Sequence, residues 1–226
     1  MKACLLAFCG VFLFMTTAEA QKVDWREFSH TVGIAIEKAG GTTTCSGILI
    51  SPTVVLTAAH CVDGFLKARV TTERSLRKQD VKFIEVTRGS MHPGYRGNLP
   101  GGSVDVGLLF LKEAIQNEFN PTQIGTLVTD LPFERIGFGG RAGENIRTWI
   151  LSFYEGEFGD YLRARDELGV LGDSGGPVFQ RQKEGLRLIG VHTGREIATS
   201  GQLTNISYIQ PLTSKVLGWV TSELNK

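Results

Sequence analysis

The run Gly172-Asp173-Ser174-Gly175-Gly176-Pro177-Val178-Phe179 constrains this chain more than any other stretch. A serine sits among glycines, and a proline then opens an apolar segment. Glycine reaches positive φ and allows close backbone approach because it has no Cβ. A turn of this composition presents the Ser174 hydroxyl while neighbouring N–H groups converge beside it. Acyl transfer needs that pairing of an accessible nucleophile with donors for a developing oxyanion. The 28 glycines and 7 prolines in 226 residues also imply many turns, which favours an all-β architecture over a helical bundle.

Two upstream stretches carry the other side chains such chemistry requires. Thr57-Ala58-Ala59-His60-Cys61 supplies an imidazole, which titrates near neutrality and suits a general base. Ser103-Val104-Asp105-Val106-Gly107-Leu108-Leu109 supplies a carboxylate inside an apolar segment. Taken singly, each motif is an ordinary turn or core sequence. Taken in one chain and in the order His, Asp, Ser, the three stretches resemble the chymotrypsin/trypsin-like serine proteases.

That resemblance implies two six-stranded antiparallel β-barrels followed by a C-terminal helix. It implies Ser174 as nucleophile, His60 as base, and Asp105 as the buried carboxylate that orients the imidazole. The N–H groups of Gly172 and Ser174 would form the oxyanion hole. The implied reaction is peptide-bond hydrolysis through an acyl-enzyme, with protein or peptide substrates, proteinaceous inhibitors as further partners, no cofactor, and a monomeric enzyme. In many relatives a new N-terminal amine pairs with the aspartate before the nucleophile, here Asp173. This chain has no Ile-Val-Gly-Gly-like start, so Lys22-Val23 is the processing bond to consider, and Arg26 is an alternative cation for Asp173.

Bulk properties narrow the setting. A net charge of +1 offers no electrostatic case for nucleic acid or an anionic membrane. Lys2, the apolar run Ala3 to Met15, and Ala18-Glu19-Ala20 read as a secretory signal over residues 1–20. The run is too short to span a bilayer. The expected mature chain starts at Gln21 and is secreted, to the cell exterior or a periplasm. Cys4 and Cys9 leave with the signal, and Cys45 and Cys61 remain as an even pair in an exported protein, which reads as one disulfide. His30 and His92 stand apart from the motifs, and the sequence has no four-ligand metal pattern. Asn205-Ile206-Ser207 fits a glycosylation acceptor.

Alternation and turn residues place a first barrel over about residues 31–114 and a second over about 132–210. Residues 115–131 form a surface connector. The second barrel shows five strand patterns: 135–139, 148–154, 177–180, 186–193 and 203–209. Residues 211–224 carry apolar positions at helical spacing, with Pro211 at the helix start. The resemblance implies a primary pocket with Leu168 at its base and His192, Thr193 and Gly194 on its wall. Leu168 supplies no acid to pair with a substrate Lys or Arg. His192, with Arg195 as a second positive group, leaves glutamate preference open beside apolar preference. Asp166 and Glu167 read as surface charges.

Overall fold

The structure is a computed structural model that describes residues 23–97, 102–115, 122–141, 144–145, 147–166 and 169–226. The targeting segment, Lys22, Glu167 and the pocket-base candidate Leu168 lie outside the described residues.

The first closed barrel contains β1 (Thr31–Lys38), β2 (Gly41–Ser51), β3 (Val54–Thr57), β4 (Phe65–Thr71), β5 (Ile84–Met91) and β6 (Gly107–Leu111), joined in the order β1-β2-β3-β6-β5-β4. The second closes as β10-β11-β14-β13-β12-β7 from β7 (Phe133–Gly137), β10 (Thr148–Phe158), β11 (Tyr161–Arg165), β12 (Pro177–Gln182), β13 (Gly185–Ile197) and β14 (Leu203–Pro211). A small hairpin, β8 (Gly140–Arg141) with β9 (Glu144–Asn145), stands apart from both. A one-turn helix, α1 (Ala59–Val62), follows β3, and α2 (Ser214–Leu224) ends the chain. Every pairing between barrel strands is antiparallel.

The period-2 alternation of strands explains how the barrels join. On β2, Cys45 and Leu49 point into the first barrel's core, while Ile48 points the other way. On β3, Val55 faces inward and Val54 and Leu56 face outward; on β6, Leu109 and Leu111 face inward and Leu108 outward. The outward set packs against Ile136, Phe179, Leu188 and Val191 of the second barrel and Val216 and Val220 of α2. β3 and β6 therefore read as near-continuous apolar runs, and β2 is buried on both faces over Cys45 to Leu49. A separate cluster, including Phe133, Leu162, Ala164, Val178 and Ile209, fills the second barrel.

Two expectations need correction. The C-terminal helix begins at Ser214, not Pro211: Pro211 ends β14, and the Thr213 side chain caps the helix by accepting from the Val216 N–H. The second barrel has a sixth strand, β11, absent from the five patterns. Tyr161-Leu162-Arg163-Ala164-Arg165 alternates two exposed or half-exposed arginines with buried residues, which hides its apolar face in a short segment. Gly159, at φ +58°, turns β10 back into it.

Cys45 of β2 and Cys61 of α1 form a disulfide that closes a loop of 16 residues. Constraining the unfolded chain over such a loop is worth about 3 kcal/mol in the chain-entropy model. Replacing both cysteines with alanine is expected to lower unfolding free energy by about that amount in urea titration. A loss below about 1 kcal/mol contradicts this role.

Candidate active site

The seam between the barrels brings the three motif segments together. His60 lies on α1, directly after β3, and the disulfide ties the next residue to β2. Lys38 adds a second tether: its Nζ donates to the His60 carbonyl at 2.9 Å. Asp105 lies just before β6, and its side chain is fully buried. It holds His60 at two points. Asp105 Oδ1 accepts from the His60 backbone N–H at 2.9 Å, and Oδ2 lies 2.8 Å from Nδ1. A carboxylate there favours the tautomer with hydrogen on Nδ1 and leaves Nε2 as the acceptor.

The segment carrying Asp105 is itself anchored to the second barrel. Gln210 Oε1 accepts from the Asp105 N–H at 3.1 Å, and the Tyr161 hydroxyl donates to the Ser103 carbonyl at 2.5 Å. Burial raises the Tyr161 phenol well above its ordinary pKa, and the charges of Asp105 and Asp160 add to the effect. Burial, with Asp105 and Asp63, also pushes Tyr95 up to about 12. Both phenols stay neutral at physiological pH, so Tyr161 keeps the proton it donates.

Ser174 sits on the turn before β12, and Ser46 of β2 stitches that turn to the first barrel. The Ser46 N–H donates to the Ser174 carbonyl at 2.7 Å. The Ser46 hydroxyl donates to the Gly172 carbonyl and accepts from the Phe138 N–H, both at 2.8 Å. Gly175 makes this contact sterically feasible. It has φ +79°, and a Cβ there would lie 2.0 Å from Thr57 Oγ1 and 2.4 Å from the Ser46 carbonyl oxygen. Gly172, at φ +103°, turns the chain just before the serine. Among the described residues, the N–H groups of Gly172 and Ser174 have no acceptor, whereas those of Asp173, Gly175 and Gly176 all do.

The Ser174 hydroxyl donates to the Thr193 carbonyl at 3.4 Å. In this rotamer it makes no hydrogen bond to His60. Catalytic hydrogen bonds of this kind are often long or unformed in unliganded sites.

Asp173 is buried and oriented by the backbone: Oδ1 accepts from Gly139 N–H and Oδ2 from Val170 N–H, each at 2.9 Å. Arg26 is not its cation. That guanidinium is exposed and pairs with Asp24 at 2.8 Å.

The expected pocket residues divide by side chain. Gly194 borders open space, since a Cβ there would meet nothing within 4 Å. Thr193 is buried and spends its hydroxyl on the Tyr208 carbonyl at 3.2 Å. His192 is also buried, with Nε2 3.4 Å from Ser207 Oγ. Burial, with the nearby Arg135 charge, lowers its pKa to about 3 against the opposing pull of Asp173 and Asp166. The imidazole is therefore neutral at physiological pH.

Asp166 overturns its expected surface placement. It is 4% exposed and pairs with the buried Arg135 at 2.6 Å. It also accepts from the Ser207 hydroxyl at 2.5 Å and the Gly169 N–H at 2.7 Å. Burial alone would raise its carboxyl pKa, but Arg135 and these hydrogen bonds outweigh that and hold it below the ordinary value. The second barrel, which has no disulfide among the described residues, thus depends on a buried ion pair as well as apolar packing. Its sequence signal was weak: one arginine in a β7 pattern and one aspartate beside a glutamate.

Cys45, His60 and Cys61 cluster closely enough to suggest metal ligation. The two sulfurs are bonded to each other, so the group offers no thiolate pair.

Comparisons with known proteins agree with this architecture. The trypsin family model matches residues 17–143, a span that holds His60 and Asp105 and stops before Ser174. Chymotrypsin-like elastase family member 1 of Bos taurus is 28% identical over 168 residues, covering 60% of this chain and 62% of that protein. Its counterpart from Macaca fascicularis is 30% identical over 105 residues, covering 42% of this chain and 40% of that protein. The chain thus matches less than two thirds of the length of these relatives. The solved structure of HL collagenase superposes with a TM-score of 0.68 at 19% identity, over 88% of this chain and 94% of the other. At that identity the likeness establishes the fold.

The buried neutral histidine makes stability depend on pH. Below about 6.5 an unfolded chain protonates His192, while the folded chain resists protonation down to about 3. The unfolded state then binds more protons, so stability falls as pH falls through this window, by about 1.4 kcal/mol per unit from this group alone. Asp166, with its lowered pKa, adds loss in the same direction at the acid end. Urea unfolding from pH 7 to 4 is expected to show this slope, and His192→Gln to remove about one proton's share of it. An unchanged slope in His192→Gln contradicts the buried-neutral assignment.

Proposed function

This chain belongs to the trypsin family, and on that premise we propose that it is a secreted serine endopeptidase using His60, Asp105 and Ser174 as a catalytic triad. The observation that carries the proposal is the double grip of fully buried Asp105 on His60, at the ring and at the backbone. A structural carboxylate in a core needs only satisfied oxygens. This one fixes an imidazole, 27% exposed at its side chain, beside a serine turn with two N–H groups that have no acceptor among the described residues.

The proposed steps follow from these positions. Ser174 rotates away from Thr193, and His60 Nε2 takes its proton as Oγ attacks the substrate carbonyl. The buried carboxylate stabilises the imidazolium that forms. The N–H groups of Gly172 and Ser174 receive the oxyanion. His60 returns the proton to the leaving amine, and the same sequence with water releases the acyl group. Asp173, held by Gly139 and Val170, keeps the Gly172 turn in the orientation this requires.

Secretion is supported by the N-terminal signal pattern and agrees with the disulfide. On this reading residues 1–20 are removed and residues 21–226 form the protease domain, acting on protein or peptide substrates. A non-catalytic binder on the same fold is the alternative. The intact constellation argues against it, because a binder needs no oriented imidazole.

Ser174→Ala and His60→Ala are each expected to lower kcat for peptide hydrolysis by about 10^6-fold, and Asp105→Asn by about 10^4-fold, with little change in KM. Stopped or burst kinetics on a chromogenic peptide, with circular dichroism to confirm folding, checks this. A folded Ser174→Ala chain that hydrolyses at the original rate contradicts the assignment.

A further inference from the structure

We propose that Arg195 is a specificity-determining residue that selects a substrate with an acidic side chain immediately before the cleaved bond. The inference rests on the serine-endopeptidase reading.

On that reading the β13 segment beside Ser174 borders the acyl side of a substrate, and Arg195 lies on this segment. β13 leaves the site through Thr193, whose carbonyl faces the Ser174 hydroxyl, then Gly194, which borders open space, then Arg195. The facing wall is the segment Gly169 to Gly172 that leads into the serine turn. The Arg195 stem runs against it: a Cβ on Gly169 would lie 3.2 Å from Arg195 Cδ. The guanidinium then bridges the walls. Nη1 donates to the Gly169 carbonyl at 2.7 Å, and Nη2 donates to the Thr204 carbonyl on β14. The planar head is thus fixed in advance between these two segments.

Among the described residues, no carboxylate lies within the 4.0 Å of an ion pair with Arg195. Its Nε–H is buried and has no hydrogen-bond partner. Each nearby acid is already committed. Asp166 serves Arg135, Ser207 and the Gly169 N–H. Asp173 serves the Gly139 and Val170 N–H groups. Glu196 serves Arg163, Thr204 and Tyr208. His192 stays neutral and neither competes for a carboxylate nor binds one through charge.

A half-buried guanidinium with spare donors favours a carboxylate, which pairs with it in planar, charge-assisted geometry. An apolar side chain in the same cleft would strip water from the cation and return nothing. A lysine or arginine would meet like charge. The discrimination therefore comes from Arg195, and the buried His192 contributes shape alone.

The test uses the secreted, full-length matured protein and peptides that differ only at the residue before the bond: Glu, Asp, Leu or Lys. The expected kcat/KM for Glu exceeds that for Leu by about 30-fold or more. Arg195→Gln is expected to remove most of that ratio while still cleaving the Leu peptide, and Arg195→Glu to shift preference toward Lys. Arg195→Lys keeps charge and stem, and should retain a reduced acidic preference even if the neutral variant folds poorly. Leu cleaved as fast as Glu by the unaltered protein overturns the proposal and leaves the endopeptidase reading standing. An acidic preference that survives in folded Arg195→Gln also overturns it. A folded, matured protein that cleaves none of the peptides overturns the endopeptidase reading and this inference with it.

Discussion

Ser46 is the residue on which the geometry of the site depends. It belongs to the first barrel, yet three of its hydrogen bonds cross to the second, to Ser174, Gly172 and Phe138. Its carbonyl accepts from Thr57, on the strand that leads to His60. One buried residue thus links the serine turn to the histidine turn. The apolar seam of Ile48, Leu56, Leu108, Ile136 and Phe179 presses the barrels together but has no direction of its own. Hydrogen bonds supply the register that burial cannot.

The two barrels solve the problem of a buried carboxylate differently. Asp105 is matched by a backbone N–H and by an imidazole, a group that can take up and release a proton. Asp166 is matched by Arg135, whose charge is permanent at accessible pH. The first arrangement stays responsive and the second is fixed. The Arg135–Asp166 pair ties β7 to the residue that follows β11, whereas Arg195, with no ion-pair partner among the described residues, is held by the Gly169 and Thr204 carbonyls.

Much of the architecture was legible in the sequence because it follows from local pattern. The strand patterns at 148–154, 177–180, 186–193 and 203–209 each fall within an observed strand. Strand β11 was not legible, because two arginines occupy its exposed positions and its buried set is only Tyr161, Leu162 and Ala164. Pro211 misled because a proline suits the end of a strand near a barrel rim as well as the start of a helix. The motif side chains near the candidate site stood out through unusual local composition. Ser46, Gln210 and Tyr161 did not, since their importance comes from partners 58 to 126 residues away. Asp166 looked like a surface charge for the same reason: its cation lies on a distant strand.

The central claim is that the Ser174 hydroxyl is made nucleophilic by His60 and Asp105 across the barrel seam. Intact-mass and peptide mass spectrometry after treatment with diisopropyl fluorophosphate tests it most directly. The account predicts one covalent adduct per matured chain, on Ser174, and none when His60 is replaced by alanine. A folded, matured chain that takes no adduct, or takes it on another residue, would contradict it.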